Sequence, residues 1–217
     1  MKSKIASPVR LSGSGHEHKK NKLQIVSKNL ILILIALLTL LSCSKDDSKP
    51  EPIAYQEENP MQGIIETTGF NQISNQLDNL NTEFGFSFKP TVIGKINAFV
   101  VKIPASSNNV RVTFWDVETK SVIRTEFIAV ITANTVTTKV ISPINLVKNK
   151  EYLLSINCNH WYDYFEPNDA VAAYPLTVGN IVFTNCSYMV TPNQIFPSSS
   201  LDTQIFGNIS FNFQRTE

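Results

Sequence analysis

Residues that usually carry catalysis or bind metals are scarce in this chain of 217 residues. It has three cysteines, three histidines and eight glycines. After Cys43 it contains no Cys-x-x-Cys pair and a single histidine, His160, so we expect no metal site. A glycine-rich phosphate loop and a Gly-x-Ser-x-Gly motif are also missing, which argues against a nucleotide site and a serine hydrolase. We therefore predict that the protein is not an enzyme and has no cofactor.

The chain also lacks a strong positive charge. Its formal net charge is +1, but seven of its basic residues lie within the first 42 residues. Residues 44–217 hold 12 basic and 17 acidic residues, a net charge of −5. A mildly acidic domain does not offer the positive surface that nucleic-acid phosphates require. Nucleic acid is therefore not an expected partner.

The longest apolar run is too short to cross a membrane. Leu30 to Leu41 is 12 residues long, whereas a spanning helix needs about 20 and the core of a signal peptide about 7–15. Four lysines between residues 19 and 28 precede the run, as in a positively charged signal-peptide start. The length favours a cleaved signal peptide over residues 1–42. The alternative is an uncleaved anchor in which Cys43 is an ordinary thiol.

The end of this run, Leu40-Leu41-Ser42-Cys43, resembles the lipobox of bacterial lipoproteins. The resemblance implies that Cys43 is acylated, becomes the first residue of the mature protein and holds it to membrane lipid. The following Ser44-Lys45-Asp46-Asp47 resembles the acidic export signal of surface lipoproteins in Bacteroidota-type bacteria. That resemblance implies a lipid-anchored protein on the outer face of the outer membrane.

Two short segments precede the region of regular alternation. Residues 43–65 are polar and acidic, contain three prolines and are predicted to form a flexible linker. Ile73, Leu77 and Leu80 then have the spacing of one or two helical turns, although Asn and Asp fill the gaps between them.

Residues 66–217 are predicted to form a single all-β domain. Phe84, Phe86 and Phe88 alternate with other residues until Pro90 stops the strand, and similar segments follow about every 10–15 residues. Eight or nine such strands, with no long helix between them, predict an antiparallel β-sandwich or jelly roll. The sequence shows no internal repeat, so a solenoid or a propeller is not expected.

Several short motifs between Phe84 and Asn157 resemble an uncharacterised β-sandwich domain family of bacterial surface and secreted proteins. The resemblance implies a sandwich similar to carbohydrate-binding modules, and it supplies no catalytic residues. Lys120 departs from the family pattern, which usually has glycine there, so the geometry of that turn is open. The matching residues are Phe86-Ser87-Phe88, Gly94-Lys95-Ile96, Phe114-Trp115-Asp116, Thr119-Lys120 and Tyr152-Leu153-Leu154-Ser155-Ile156.

The two later cysteines, Cys158 and Cys186, are a possible disulfide in an oxidising compartment. Strand alternation places Cys158 on the same face as Ile156, but it places Cys186 opposite Phe183 unless a bulge intervenes. The alternative is a pair of buried or half-buried free thiols. The sequence leaves both states open.

The most unusual stretch runs from Asn157 to Asp169 and is expected to leave a strand and enter a loop. Its aromatic rings are suited to stacking on sugar C–H faces, and its polar groups to hydrogen bonding with hydroxyls. The alternative is that the aromatics cap the core of the sandwich. The predicted ligand-binding residues are Trp161, Tyr162, Asp163, Tyr164 and Phe165.

Acidic residues of the same stretch allow two further interpretations. Asp163, Glu166, Asn168 and Asp169 are potential calcium ligands, although their spacing is not that of an EF-hand loop. Asp163 with Glu166 is the one carboxylate pair suited to a glycoside hydrolase. We instead predict a non-catalytic surface lipoprotein that binds glycan or another cell-surface polymer. The alternative is a structural or assembly lipoprotein that holds a protein partner.

Overall fold

The computed structural model describes residues 54–67, 70, 72–165, 174–202, 204–206 and 208–217. These contain one α-helix, α1 (Pro60–Thr67), and eleven β-strands. The strands are β1 (Gln72–Pro90), β2 (Gly94–Val101), β3 (Ser107–Asp116), β4 (Val122–Val130), β5 (Thr137–Leu146), β6 (Tyr152–Phe165), β7 (Leu176–Val178), β8 (Ile181–Val190), β9 (Ser199–Leu201), β10 (Gln204–Phe206) and β11 (Ile209–Arg215).

The strands form two antiparallel sheets that pack face to face, so the predicted all-β sandwich is confirmed. The larger sheet has the strand order β4-β3-β6-β1-β8-β7, with β10 added beside β6 and β9 beside β8. The smaller sheet has the order β11-β2-β5. Strands β1 and β6 therefore lie at the centre of the larger sheet, where the candidate residues are found.

Phenylalanine rings from both sheets fill the centre of the core. Phe84, Phe86 and Phe88 of β1 are at most 1% exposed, as their alternation predicts. The Phe88 ring centroid lies 4.6 Å from that of Phe211 on β11, in the opposite sheet. These rings therefore join the two layers, and burial of one such side chain stabilises the fold by about 1.5–3 kcal/mol.

The described part of the predicted linker belongs to this domain. Glu58 exchanges backbone hydrogen bonds with Phe213 of β11, and Met61 and Ile64 of α1 are 2% and 0% exposed. Asn59 caps the helix through a hydrogen bond from Gln62 N to its Oδ1, and Pro60 occupies the first helical position. The linker prediction is therefore wrong for residues 54–65, because a helix cap and a short buried apolar stripe hold this segment against the sandwich. Residues 43–53 lie outside the described ranges.

The helical turns predicted between Ile73 and Leu80 are also wrong, because this segment is the first half of β1. Its residues 72–77 pair with β6. Ile73, Leu77 and Leu80 are 54%, 69% and 58% exposed, so their helical spacing does not mark a buried face. The intervening Asn and Asp residues have low helix propensity, and pairing with β6 determines the conformation.

Membrane attachment through the N-terminal region stays a prediction. The predicted signal peptide, residues 1–42, and the predicted lipidation site, Cys43, both lie outside the described residues. Within the described ranges, no helix has the length and apolar character needed to cross a membrane.

Candidate functional site

The candidate aromatic stretch lies on a strand and not in a loop. Strand β6 continues to Phe165, so Trp161–Phe165 are strand residues and the loop prediction is wrong. Residues 160–165 pair with residues 72–77 of β1, and residues 163–165 also pair with β10. Aromatic residues favour such pleated, half-buried positions, which is why the strand extends through them.

Strand β1 separates from β6 for four residues next to this stretch. Leu77 pairs with His160 and Thr82 pairs with Cys158, so Asp78–Asn81 stand opposite Asn159 alone. The Asp78 carboxylate accepts a hydrogen bond of 3.3 Å from Leu80 N, a local turn that Asp and Asn favour. We call this segment the β1 excursion. Its residues help to line two cavities beside β6.

The first cavity, which we call the Trp161 groove, has a volume of about 380 Å³. Side chains from β1, β6, β8, β9 and β10 line it. They combine aromatic rings with carboxylates and amides, the mixture that the sequence predicts for a sugar site. The rings belong to Trp161, Tyr188 and Phe206, and the polar groups include Gln76, Asp78, Asp163 and Gln204.

Trp161 is held in place from two directions. Its ring centroid lies 5.6 Å from that of Phe84 in the core. Its indole Nε1 donates a hydrogen bond of 3.0 Å to Asp163 Oδ1. An aromatic side chain fixed in this way loses little conformational entropy when a ligand stacks on it.

Asp163 is an unusual carboxyl group because it is only 8% exposed. Burial raises its pKa from the ordinary value of 3.8 to about 6, although hydrogen bonds from Trp161 and Gln76 oppose this rise. The fold thus prefers the protonated form of Asp163 more than the unfolded chain does. The stability associated with this preference is present below about pH 4 and is lost as the pH rises to about 6.

The direction of this pH dependence leads to a prediction for the stability of Asp163→Asn. The amide cannot ionise, so the variant should exceed the wild type in free energy of unfolding by about 1 kcal/mol at pH 7.5 and by little at pH 4. Urea unfolding at several pH values measures the difference. Asp202→Asn, at an exposed position, is the control. An Asp163→Asn effect that does not vary between pH 4 and pH 7.5 would contradict the prediction.

The other aromatics of the stretch are not part of the groove. Tyr162 and Tyr164 are 7% and 4% exposed. The Tyr162 hydroxyl hydrogen-bonds to Asn134 Oδ1, and the Tyr162 N–H donates to Asn208 Oδ1 at 2.7 Å. Phe165 is half-buried and pairs with β10. Of the five predicted binding residues, Trp161 and Asp163 line the groove, and Tyr162 and Tyr164 fit the packing alternative.

Several groove residues were not predicted from the sequence. Tyr188 lies opposite Phe84 in the pairing of β8 with β1, and Phe206 lies opposite Asp163 in the pairing of β10 with β6. Their nearness to Trp161 depends on strand order and register. The alternation within a single strand carries no signal of either.

The calcium and hydrolase alternatives both depend on Glu166, which lies outside the described residues, as do Asn168 and Asp169. The remaining acid, Asp163, already accepts the Trp161 hydrogen bond. Across the ranges that the structure describes, no three His, Cys, Asp or Glu side chains are grouped closely enough to hold a metal ion.

The two cysteines are free and buried, so the disulfide alternative does not hold in this structure. The predicted exception of a bulge does occur: Ser87 pairs with Asn185 and Phe88 with Phe183, which places an extra residue in β8. The bulge turns Cys186 into the core. Cys158 and Cys186 flank β1 on opposite sides and differ by four positions along it. At about 4.8 Å per strand and 3.3 Å per residue, their Cα atoms are too far apart for a disulfide.

A separate polar network is buried in the larger sheet. Glu83 is 0% exposed and accepts hydrogen bonds from Ser155 Oγ at 2.5 Å and from Arg111 Nη2 at 2.8 Å. Trp115 Nε1 donates to Ser155 Oγ at 2.7 Å. Burial raises the pKa of Glu83, while the bonds from Ser155 and Arg111 oppose the rise. Trp115 is 3% exposed, so it belongs to this network and not to an open surface.

The chain that follows β8 covers this network. Pro192 O accepts a hydrogen bond of 3.1 Å from Arg111 Nη1, and Thr191 O accepts one of 2.9 Å from Asn157 Nδ2. The Phe196 ring meets the Trp115 ring edge-on, with 5.7 Å between centroids. The network therefore has a structural role: it joins strands β1, β3 and β6 to the segment that covers them.

Comparison with known proteins finds no protein-family model and no curated protein that matches this chain. The resemblance to a β-sandwich family of bacterial surface proteins accordingly stays a prediction.

Proposed function

We propose that this protein is a non-catalytic surface lipoprotein whose β-sandwich binds glycan or another cell-surface polymer in the Trp161 groove. The observation that carries the proposal is the composition of the groove. Trp161 and Tyr188 lie there beside the carboxyl and amide groups of Asp78, Asp163 and Gln204. Aromatic rings stack on the C–H faces of sugars, and carboxylates and amides hydrogen-bond to hydroxyl groups.

A glycan array probed with the full-length lipoprotein in detergent tests the proposal. We expect binding to at least one glycan, and we expect Trp161→Ala to weaken it at least tenfold, since a central aromatic contact contributes more than about 1.4 kcal/mol. Phe127→Ala is the matched control, because Phe127 is an aromatic residue that is 53% exposed on β4 and does not line the groove.

Two array results count against the groove. Equal binding by the wild type and Trp161→Ala removes the assignment, provided that both proteins unfold at the same temperature. An equal loss in Phe127→Ala shows that any exposed aromatic has the same effect. Tyr188→Ala, at a groove residue on β8, provides a second and independent test on the same array.

The lipid anchor is a separate part of the proposal. We expect mass spectrometry of the native protein to find Cys43 as the N-terminal residue with acyl chains attached, and Cys43→Ser to release the protein from the membrane fraction. Two or more acyl chains give stable anchoring. An unmodified Cys43 with residues 1–42 still present would refute this part and would leave the groove assignment untouched.

Exposed apolar residues favour a second candidate function, the binding of a protein partner. Strands β4 and β5 lie at the edges of the two sheets. Phe127, Ile131, Val136 and Val140, on or between these strands, are 53%, 76%, 57% and 79% exposed. Exposed apolar groups at sheet edges are common sites of protein association. Crosslinking in cells followed by purification separates the two functions. Capture of a discrete partner protein, loss of that capture in Val140→Glu and the absence of glycan binding would together favour this candidate.

A further inference from the structure

The second cavity beside the β1 excursion differs from the Trp161 groove in its chemistry. It has a volume of about 200 Å³, and we call it the asparagine pocket. Amides, hydroxyls and one imidazole make up most of its wall, and Ile103 and Ala105 supply a small apolar part. The polar residues that matter below are Asn81, Ser107, Asn109, Asn157, Asn159 and His160.

The pocket wall indicates a ligand without charge. Among the described residues that line it, none is lysine, arginine, aspartate or glutamate. A charged ligand would lose hydration there without gaining an opposite charge, at a cost of several kcal/mol. An asparagine amide both donates and accepts hydrogen bonds, so it can replace water around a hydroxyl group on either side. The wall therefore suits a neutral molecule rich in hydroxyl groups.

The size of the pocket limits the ligand further. A cavity of about 200 Å³ is below the range of about 300–1,000 Å³ for drug-sized ligands, so it suits a ligand the size of one pyranose ring. The apolar part of the wall, Ile103 and Ala105, provides a surface for the C–H groups of such a ring.

The base of the pocket is rigid and its rim is open. Asn157 is 7% exposed, and its Nδ2 donates to Thr191 O at 2.9 Å, which fixes the amide. Asn81 and Asn109 are exposed at the rim, and Asn159 and His160 are half-buried. A ligand can enter without displacing a strand, and it meets polar groups at the rim and at the base of the pocket.

The β1 excursion contributes residues to both this pocket and the Trp161 groove. Asp78 and Thr82 line the groove, whereas Asn81 lines the pocket. On β6, the consecutive residues His160 and Trp161 line the pocket and the groove respectively. The two cavities share no lining residue: the pocket extends to the segment from Ile103 to Asn109, and the groove extends to β8, β9 and β10. They are therefore separate sites.

We propose that the asparagine pocket binds one neutral pyranose unit. The inference goes beyond the proposed function, because it adds a second sugar subsite, outside the groove, with a defined chemistry. The subsite takes an uncharged sugar and excludes uronic acids and amino sugars that carry a free ammonium group.

Saturation-transfer NMR on the full-length protein in detergent, with monosaccharides as probes, tests this subsite. The probes are glucose, galactose and mannose, with glucuronate and glucosamine as the charged counterparts. We expect transfer to at least one neutral hexose and at least fivefold less to its charged counterpart. Ala105→Leu, which fills the apolar part of the wall without removing a polar group, should reduce the signal at least fivefold. Asn159→Leu should do the same by removing an amide.

The matched control is Phe127→Ala, at an exposed aromatic residue of β4 that lines neither cavity, which should leave monosaccharide transfer within about twofold of the wild type. Transfer that Trp161→Ala removes and Ala105→Leu preserves would place the sugar in the groove, which overturns the subsite and upholds the proposed function. Equal transfer to glucuronate, or no transfer to any neutral hexose, would overturn the subsite as well. Failure of the proposed function is a different result, namely array binding that Trp161→Ala does not change.

Discussion

Replacing Glu83 by alanine is expected to lower the free energy of unfolding by about 4 kcal/mol, because it leaves Arg111 without its partner carboxylate in a buried setting. Glu83 is 0% exposed and the Arg111 side chain 16% exposed. The change also removes the acceptor of the 2.5 Å hydrogen bond from Ser155. Urea unfolding of the wild type and the variant measures the loss.

Glu126→Ala is the matched control for Glu83→Ala. Glu126 is also a strand glutamate in ion pairs, with Arg124 at 3.3 Å and Lys139 at 3.6 Å. Its partners are 35% and 43% exposed, so solvent screens the pairs and the expected loss is below about 1 kcal/mol. Similar losses in the two variants would contradict the role assigned to the buried network.

A double-mutant cycle separates the ion pair from simple loss of packing. If the Glu83 effect comes from the orphaned guanidinium, Arg111→Met should reduce the further loss caused by Glu83→Ala by at least about 1 kcal/mol. Additive losses would mean that the two side chains stabilise the domain independently.

Gly85→Ala is expected to have the second large effect, a loss of about 3 kcal/mol. A Cβ at Gly85 would overlap the backbone carbonyl oxygen of Leu154 and would lie 2.7 Å from Ser155 Cα, both in the adjacent strand β6. Gly85 pairs with β6 on one side and with Ser187 of β8 on the other. The new methyl group therefore has to displace a central strand, and overpacking of that kind costs about 1–3 kcal/mol or more.

Thermal unfolding measures this effect, with an expected fall of roughly 10 °C in the midpoint at about 2–4 °C per kcal/mol. Gly63→Ala in α1 is the control. A Cβ there meets the side chain of Val178, which can rotate, and not a backbone atom. Alanine also favours the helix by about 0.5–1 kcal/mol over glycine. A Gly85→Ala midpoint within about 3 °C of the wild type would show that β1 and β6 are not packed as described.

The sequence predicts the sandwich well where one strand face is apolar. Phe84, Phe86 and Phe88 lie in the core as their alternation indicates, and Pro90 ends β1. It fails where pairing overrides the local pattern. Residues 72–80 have a weak helical spacing but pair with β6, and the polar-aromatic residues 157–165 read as a loop but continue β6.

Short irregularities in strand pairing also limit prediction of the site. One extra residue in β8 turns Cys186 into the core, and the four-residue β1 excursion opposite Asn159 contributes to the lining of both cavities. Such irregularities shift register without a strong compositional signal. The sequence therefore points to Trp161 and Asp163, but the fold supplies Tyr188 from β8.

The most direct test of the central claim uses the two tryptophans of the chain. Trp115 lies in the buried network and Trp161 lies in the groove, and each gives one indole N–H signal in a ¹H–¹⁵N NMR spectrum. Titration with the oligosaccharide identified on the array should shift the signal that Trp161→Phe removes and leave the other in place. Saturating oligosaccharide that leaves the Trp161 signal unmoved would contradict the claim that this groove is the contact surface.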